Sequence, residues 1–332
     1  CTGSIGRNAA TVLKKNPEAF EVVAVSAHTD EHNLVKFADK FNVPRLSLTG
    51  GASSNPKINY FGEPGLLDMI RETEADILLN GIAGSAGLSS SIVALESGKN
   101  LALANKETIV MTGSLIIELA DKHSRKILPV DSEHSAIWQL VRGWKDKNIA
   151  ELILTASGGA FRDRPAESLK NVTVGAALAH PTWEMGPKIT IDSATMANTG
   201  LEIIEAHYLF NVPADRIKII IHPKSYVHSL IRTIDGCLYA QMSMPDMAVP
   251  IQNALSWPEI LPADFASISL ADIILEFREL DRKKYPIIDI AYEALKLEGA
   301  YPLVFNAANE VAVSAFIDNR ISFLDIGEII GK

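Results

Sequence analysis

Between residues 7 and 121 the chain alternates short apolar runs with stretches of helical period, and this alternation limits its fold more than any other feature. Phe20-Glu21-Val22-Val23-Ala24-Val25, Ile77-Leu78-Leu79 and Leu101-Ala102-Leu103-Ala104 are strand-like runs. Ile5, Ala9, Val12 and Leu13, and then Leu88, Ile92 and Val93, fall at helical spacing, the second set ended by Gly98. Strand, helix, strand repetition predicts an α/β fold with a parallel sheet covered on both faces.

From about residue 127 the pattern changes. Lys126 to Val130, Glu151 to Thr155, Ile217 to Ile221, Val227 to Ile234 and Cys237 to Met242 read as strands, with Asp235-Gly236 as a hairpin turn between the last two. This middle section is expected to be α+β with an antiparallel element. After Trp257-Pro258 a mixed segment runs to about 285, and helical periodicity then dominates through Ala291, Ala294 and Leu295 and again through Val311, Val313, Ala315 and Phe316. The chain opens on Cys1 rather than Met, in what reads as a loop already under way, and closes on Ile329-Ile330-Gly331-Lys332 inside a helical pattern. Truncation at both ends is therefore expected.

Length and charge exclude several functions. At 332 residues the chain has room for about two domains. Lys and Arg number 31 against 40 Asp and Glu, and a net charge of −9 argues against a general nucleic-acid surface while leaving room for a small anionic substrate held by a few local cations. No apolar run approaches the ~20 residues of a membrane helix, and no charged n-region precedes an apolar block. A cytoplasmic location without membrane partners is expected, in the bacterial cytosol or a plastid. Cys1 and Cys237 are too few for a disulfide framework or a thiolate zinc site.

Several short stretches carry polar chemistry. Thr2-Gly3-Ser4-Ile5-Gly6 precedes a helical pattern, where backbone N–H groups face a pyrophosphate or merely form a turn. His28-Thr29-Asp30 follows the second strand of a dinucleotide-type repeat: Thr29 and His28 suit a 2′-phosphate and Asp30 opposes one. Asn105-Lys106-Glu107 ends an apolar strand, either as a ligand-binding strand end or as solvated charge. Asp131-Ser132-Glu133 ends the next strand, and in an extended chain positions i and i+2 point the same way, so the two carboxylates converge on a hard cation or remain solvated. Glu202 is the candidate third carboxylate. Ser157-Gly158-Gly159 suits an anion cradle or a simple turn. His180-Pro181-Thr182-Trp183-Glu184-Met185-Gly186 has the composition of a lid that stacks over a ligand, although a Trp and Met pair also suits a core. Beyond Lys188, the run Asp192 to Glu202 holds more hydrogen-bonding side chains than a helix cap needs.

Together these stretches resemble the 1-deoxy-D-xylulose 5-phosphate reductoisomerase family. The match runs through Thr-Gly-Ser-Ile-Gly at 2–6, Ala-Asn-Lys-Glu at 104–107, Leu-Pro-Val-Asp-Ser-Glu-His at 128–134, Ser-Gly-Gly at 157–159, His-Pro-Thr-Trp-Glu-Met-Gly at 180–186, Asp-Ser-Ala-Thr-Met at 192–196, Gly-Leu-Glu at 200–202, Ile-His-Pro at 221–223 and Asn-Ala-Ala-Asn-Glu at 306–310. The resemblance implies an NADPH-dependent enzyme of non-mevalonate isoprenoid synthesis that needs Mg²⁺, Mn²⁺ or Co²⁺. It rearranges 1-deoxy-D-xylulose 5-phosphate to 2-C-methyl-D-erythrose 4-phosphate and reduces that aldehyde to 2-C-methyl-D-erythritol 4-phosphate. It also implies a Rossmann-like NADPH-binding domain over residues 1–130, a catalytic domain over 131–256 with its lid at 180–188, a linker at 257–284 and a C-terminal α-helical domain over 285–332.

Carried over by position, Thr2, Gly3, Ser4, Ile5, Asn105, Glu107 and Gly186 hold the dinucleotide, and Asp131, Glu133 and Glu202 bind the metal. Lys106 and Glu133 are the catalytic pair. Lys106, Ser132, Glu133, Ser157, His180, Trp183, Ser193, Asn198, Thr199 and Glu202 line the substrate. The family is homodimeric, and an edge strand within 225–242 is the expected interface.

Two departures stand out. The family has Lys immediately after the Asn of its substrate-binding stretch, where this chain has Thr199, and a charge-assisted hydrogen bond contributes roughly 1.5–3 kcal/mol. Lys188 is the nearest replacement in sequence. The other departure is the missing first strand, first glycine and C-terminal end. An inactive fragment of the same fold, or a reductase of another phosphorylated sugar, are the competing expectations.

Overall fold

The structure is a computed structural model that describes residues 1–263, 265 and 267–332. Its contacts divide the chain into two units: residues 1–108, 115–131 and 247–262 form the first, and 109–114, 132–246 and 263–332 the second. The four sequence segments distribute over these units, with residues 247–262 in the first and 285–332 in the second. Among the described residues no helix is long and apolar enough to cross a membrane.

In the first unit, β1 (Ala24–Ala27), β2 (Arg45–Leu48) and β3 (Tyr60–Phe61) form one parallel sheet, and β4 (Ile77–Asn80), β5 (Asn100–Leu103) and β6 (Ile127–Pro129) a second. Leu101, Ala102 and Leu103 are all buried, as expected for a parallel strand covered on both faces. The apolar run Phe20 to Val25 becomes a strand only at Ala24, because its ladder to β2 begins at Ala24↔Arg45. The apolar pattern does not mark strands β2 and β3. Both are short, and Arg45 and Ser47 interrupt the apolar pattern of β2. Helix Ala248–Ser256 belongs to this unit, where Gln252 accepts from Asn16 at 3.0 Å and donates to the carbonyls of Leu261 and Pro262.

The second unit is built on a four-stranded sheet ordered β10 (Leu238–Met242), β9 (Val227–Thr233), β7 (Ile149–Ala156), β8 (Ile217–Ile221). Strands β7 and β8 are parallel, the other pairs antiparallel, and Gly236 (φ +88°) supplies the left-handed residue of the β9–β10 turn. Helix Ala197–Phe210 packs on β7 and β8, and helices Pro187–Thr195, Ile287–Leu297, Tyr301–Ile317 and Phe323–Gly331 pack against it and one another. Their side chains share one core: Leu152, Leu154, Phe161, Ile204, Ile288 and Phe305 are each almost fully buried. Phe161 meets Phe323 edge-on with ring centroids 5.0 Å apart. Each such side chain contributes about 1.5–3 kcal/mol through burial.

Candidate active site

In the first unit the helix Ser4–Lys15 starts at Gly3 without a side-chain cap, leaving its first N–H groups to a ligand or water. Gly6 is required here, since a Cβ would strike the carbonyl of Cys1. Thr2, Gly3, Ser4 and Ile5 thus surround the positive end of one helix. Asp30 accepts from the N–H of Asn33 at 3.2 Å and caps helix Glu31–Phe41, and the hydrogen bonds from Asn33 hold its carboxyl below the usual range. His28 bonds Thr49 at 3.0 Å.

Asn105 is buried, and its amide organises the neighbouring loop. It donates to the carbonyls of Ile82 (2.6 Å) and Gly84 (2.8 Å) and to Glu107 (3.2 Å), while its oxygen accepts from the Thr108 N–H and hydroxyl. Lys106 then points its ammonium at Asp131, 2.5 Å away, with side chains only 5% and 14% exposed. A buried pair of this kind fixes both groups, because either alone would carry a large desolvation cost.

The second unit begins at Ser132, the first residue of helix Ser132–Val141. This corrects the extended geometry expected for Asp131-Ser132-Glu133: Glu133 lies in the first turn of a helix. Ser132 donates to Glu133 at 2.8 Å, and Asn198 donates to Glu202. Carboxylate oxygens of Glu133 and Glu202 come within 4.8 Å of each other, Glu202 being almost fully buried. Two carboxylates this close, one half-buried and one almost fully buried, repel unless a cation or proton lies between them, and oxygen donors of this kind suit a hard divalent ion. Asp131 is joined to this segment by one intervening residue. Behind Glu202, His134 bonds its carbonyl at 3.0 Å and faces Glu205 at 3.5 Å.

Ser157-Gly158-Gly159 leaves β7 through two left-handed residues, with φ of +84° at Gly158 and +68° at Gly159. A Cβ at Gly159 would strike the carbonyl of Ser193, so the loop lies directly on helix Pro187–Thr195. The Ser157 hydroxyl meets His180 Nε2 at 3.0 Å, and His180 Nδ1 accepts from the N–H groups of Thr182 and Trp183 at 3.1 and 2.8 Å. This network assigns the Nε2–H tautomer, with Nε2 donating to Ser157. Burial, aided by the charge of Arg162, pushes the imidazole pKa down to about 4.

Residues 179–186 have no regular secondary structure, and Trp183 rests 6.4 Å from the ring of His228. Gly186 caps the next helix, whose last residue gives way to left-handed Met196 (φ +65°) before helix Ala197–Phe210 begins. The polar run from Asp192 to Glu202 is thus divided between two helices. Thr199 is buried in the second. Lys188 is paired with buried Asp192 at 2.9 Å, and Asn309 donates to the same carboxylate at 2.9 Å.

Three polar anchors escaped the sequence reading. Asn309 falls in the Asn-Ala-Ala-Asn-Glu stretch at 306–310, whose local pattern assigns it no role. His228, bonded to Ser243 at 3.0 Å, and Glu205 had no local motif; their partners are distant in sequence or on a helix face.

These features define a class: α/β enzymes that join a dinucleotide-type parallel-sheet unit to an α+β unit bearing facing carboxylates. The family model described as 1-deoxy-D-xylulose 5-phosphate reductoisomerase matches residues 1–113, and models for the C-terminal domains of the same enzyme match residues 127–210 and 242–332. The chain belongs to the 1-deoxy-D-xylulose 5-phosphate reductoisomerase family. A curated member from Chlorobaculum tepidum is 44% identical over all of this chain and 89% of its own length. One from Geobacillus sp. is 45% identical, over all of this chain and 90% of its own. Among solved structures, a DOX-P reductoisomerase in complex with NADPH, fosmidomycin and magnesium superposes with a TM-score of 0.92 at 35% identity, covering 99% of this chain and 86% of that one. The enzyme from Zymomonas mobilis in complex with NADPH gives 0.91 at 36%, covering 99% and 88%.

Proposed function

We propose that this protein converts 1-deoxy-D-xylulose 5-phosphate to 2-C-methyl-D-erythritol 4-phosphate in isoprenoid synthesis, using NADPH and a divalent metal. The observation that carries this reading is the approach of Glu133 to Glu202 within 4.8 Å, in a chain 44% identical over its full length to a member of the family.

Asp131, Glu133 and Glu202 hold the metal in this reading, with Mg²⁺, Mn²⁺ and Co²⁺ all suited to an oxygen donor set. When bound, the ion acts as a Lewis acid on the substrate carbonyl and adjacent hydroxyl. Lys106 holds Asp131 in place and adds positive charge where the rearranging skeleton becomes electron-rich. Ser132 orients Glu133, and Asn198 orients Glu202. Ser157, Ser193 and Asn198 receive the phosphate and hydroxyls as neutral donors. His180, neutral with its proton on Nε2, orients the Ser157 hydroxyl. Thr199 supplies no charge in place of the family's Lys, and Lys188 is engaged by Asp192.

Thr2, Gly3, Ser4 and Ile5 would hold NADPH at the positive end of their helix, with Asn105, Glu107 and Gly186 also touching it, Asn105 shaping the neighbouring loop. NADPH supplies hydride. Trp183, with the rest of the lid at 180–188, keeps water from the aldehyde. In this reading residues 1–130 carry the cofactor, 131–256 the catalytic groups, 257–284 the linker and 285–332 the helical domain, although residues 247–262 pack in the first unit.

Loss of NADPH absorbance with 1-deoxy-D-xylulose 5-phosphate, with and without Mn²⁺, tests the reading. Metal-dependent oxidation is expected, and Glu202→Gln should raise the metal concentration for half-activity at least about tenfold. Thr199→Lys should lower the KM for the sugar phosphate. Turnover that ignores both the metal and Glu202→Gln would refute the assignment.

The enzyme is proposed to act as a cytosolic homodimer. Strand β10 is a sheet edge that exposes Leu238 and Tyr239, a surface suited to pairing with a second copy. Sedimentation at micromolar concentration should give a dimer that Leu238→Lys weakens; a monomeric parent would exclude the interface.

A further inference from the structure

The connecting segment before the C-terminal helices is fastened at several points to the end of β8 and to residues 161–164, just beyond the Ser157 loop. Arg278 pairs its backbone with Ile221, the last residue of β8, in an isolated antiparallel bridge, its N–H and carbonyl each bonded at 2.9 Å. The Arg278 guanidinium reaches Asp163 at 2.6 Å. Six residues further on, the ammonium of Lys284 donates to three backbone carbonyls, those of Phe161 (2.6 Å), Arg162 (3.2 Å) and Arg164 (2.6 Å).

Three carbonyls converge because residues 161–164 form a tight turn, closed by Arg164 N–H to the carbonyl of Phe161 at 3.0 Å. An ammonium with three donors matches three oxygens around one point. Arg162, on the same turn, sends its side chain back to the carbonyls of Ser157 (3.0 Å) and Pro223 (3.2 Å). Phe161 is fully buried. The turn is therefore held by Phe161 beneath, Lys284 at its carbonyls and Arg162 at the Ser157 end.

We infer that Lys284 is a positioning residue for the phosphate end of the substrate: it locks the 161–164 turn and, through Arg162, fixes where the Ser157 hydroxyl is presented. This rests on the proposed reading of Ser157 as a phosphate contact. Two left-handed glycines make the loop readily deformable, and an external clamp removes that freedom before the ligand arrives.

Steady-state kinetics on the full chain test the role, with inorganic phosphate as a competitive probe. In Lys284→Met, the KM for 1-deoxy-D-xylulose 5-phosphate and the inhibition constant of inorganic phosphate should rise together, by about ten- to a hundredfold. The KM for NADPH should stay unchanged, and Lys284→Arg should recover most of the loss. A fall in kcat with phosphate inhibition unchanged, or an equal rise in the KM for NADPH, would overturn the proposal, since general loosening behaves that way. Should Lys284→Met not fold, Arg278→Gln detaches the segment from Asp163 at an exposed site. It should move the same two constants in the same direction, and no change in either would overturn the proposal. Ser157→Ala separates the two readings. If it leaves phosphate inhibition unchanged, the phosphate contact itself is wrong; if it weakens inhibition while Lys284→Met does not, the clamp alone is wrong.

Discussion

His180 shows how a residue type becomes a chemical state only through its surroundings. Its Nδ1 accepts two backbone N–H groups, its Nε2 faces Ser157, and burial lowers its pKa to about 4. His228 is likewise pushed down to about 4, chiefly by burial. For both, the unfolded chain takes up a proton near pH 6.5 while the folded one does not until about pH 4. Unfolding thus binds protons across that window, so stability should be full above about pH 6.5 and fall as pH drops toward 4. Denaturant midpoints measured across the window check this, and His228→Gln should flatten the slope. The candidate site residues are legible in the sequence where carboxylates, Ser-Gly-Gly and the His180-to-Gly186 stretch each sit in a short local motif. Glu205, Lys284 and Asn309 are not, since each acts through contacts with distant residues.

Elements were legible where apolar period and punctuation agreed, as in β7, β8, the β9–β10 hairpin and the helix ended by Gly98. They were misread where a helix begins immediately after a strand: Asp131-Ser132-Glu133 looked extended, yet helix Ser132–Val141 starts there and turns Glu133 onto its first turn. Helix Ala197–Phe210 depends on a residue with no side chain. A Cβ on Gly200 would stand 2.9 Å from the Phe305 ring and 3.3 Å from Ala291, so this helix lies close against two C-terminal ones. Gly200→Leu should cost about 1–3 kcal/mol by overpacking and displace Glu202, two residues on. Thermal unfolding should report the first effect and, on the proposed metal role of Glu202, a higher divalent-metal requirement the second. An unshifted melting temperature would mean the helices part without cost.

At the scale of the whole molecule, the expected order of cofactor, catalytic and helical segments is interleaved in space. The first unit takes residues 1–108, 115–131 and 247–262, and its late helix is tied in by Gln252 to Asn16. Sequence pattern marks elements but not which unit each joins, because that depends on pairing between distant segments. A fragment ending at residue 131 should therefore be poorly stable, and fusing residues 247–262 to it through a flexible linker should restore cooperative unfolding by circular dichroism. Equal stability of the two fragments would argue against the division. The same interleaving governs birth on the ribosome. At about 5–20 residues per second, residues 132–246 occupy many seconds between the two halves of the first unit. Its sheets must wait through that interval with a helix missing, while the second unit's strands emerge and begin to pair. The nascent chain thus cannot mature from front to back, and its early strands spend the longest time in need of shelter from wrong partners.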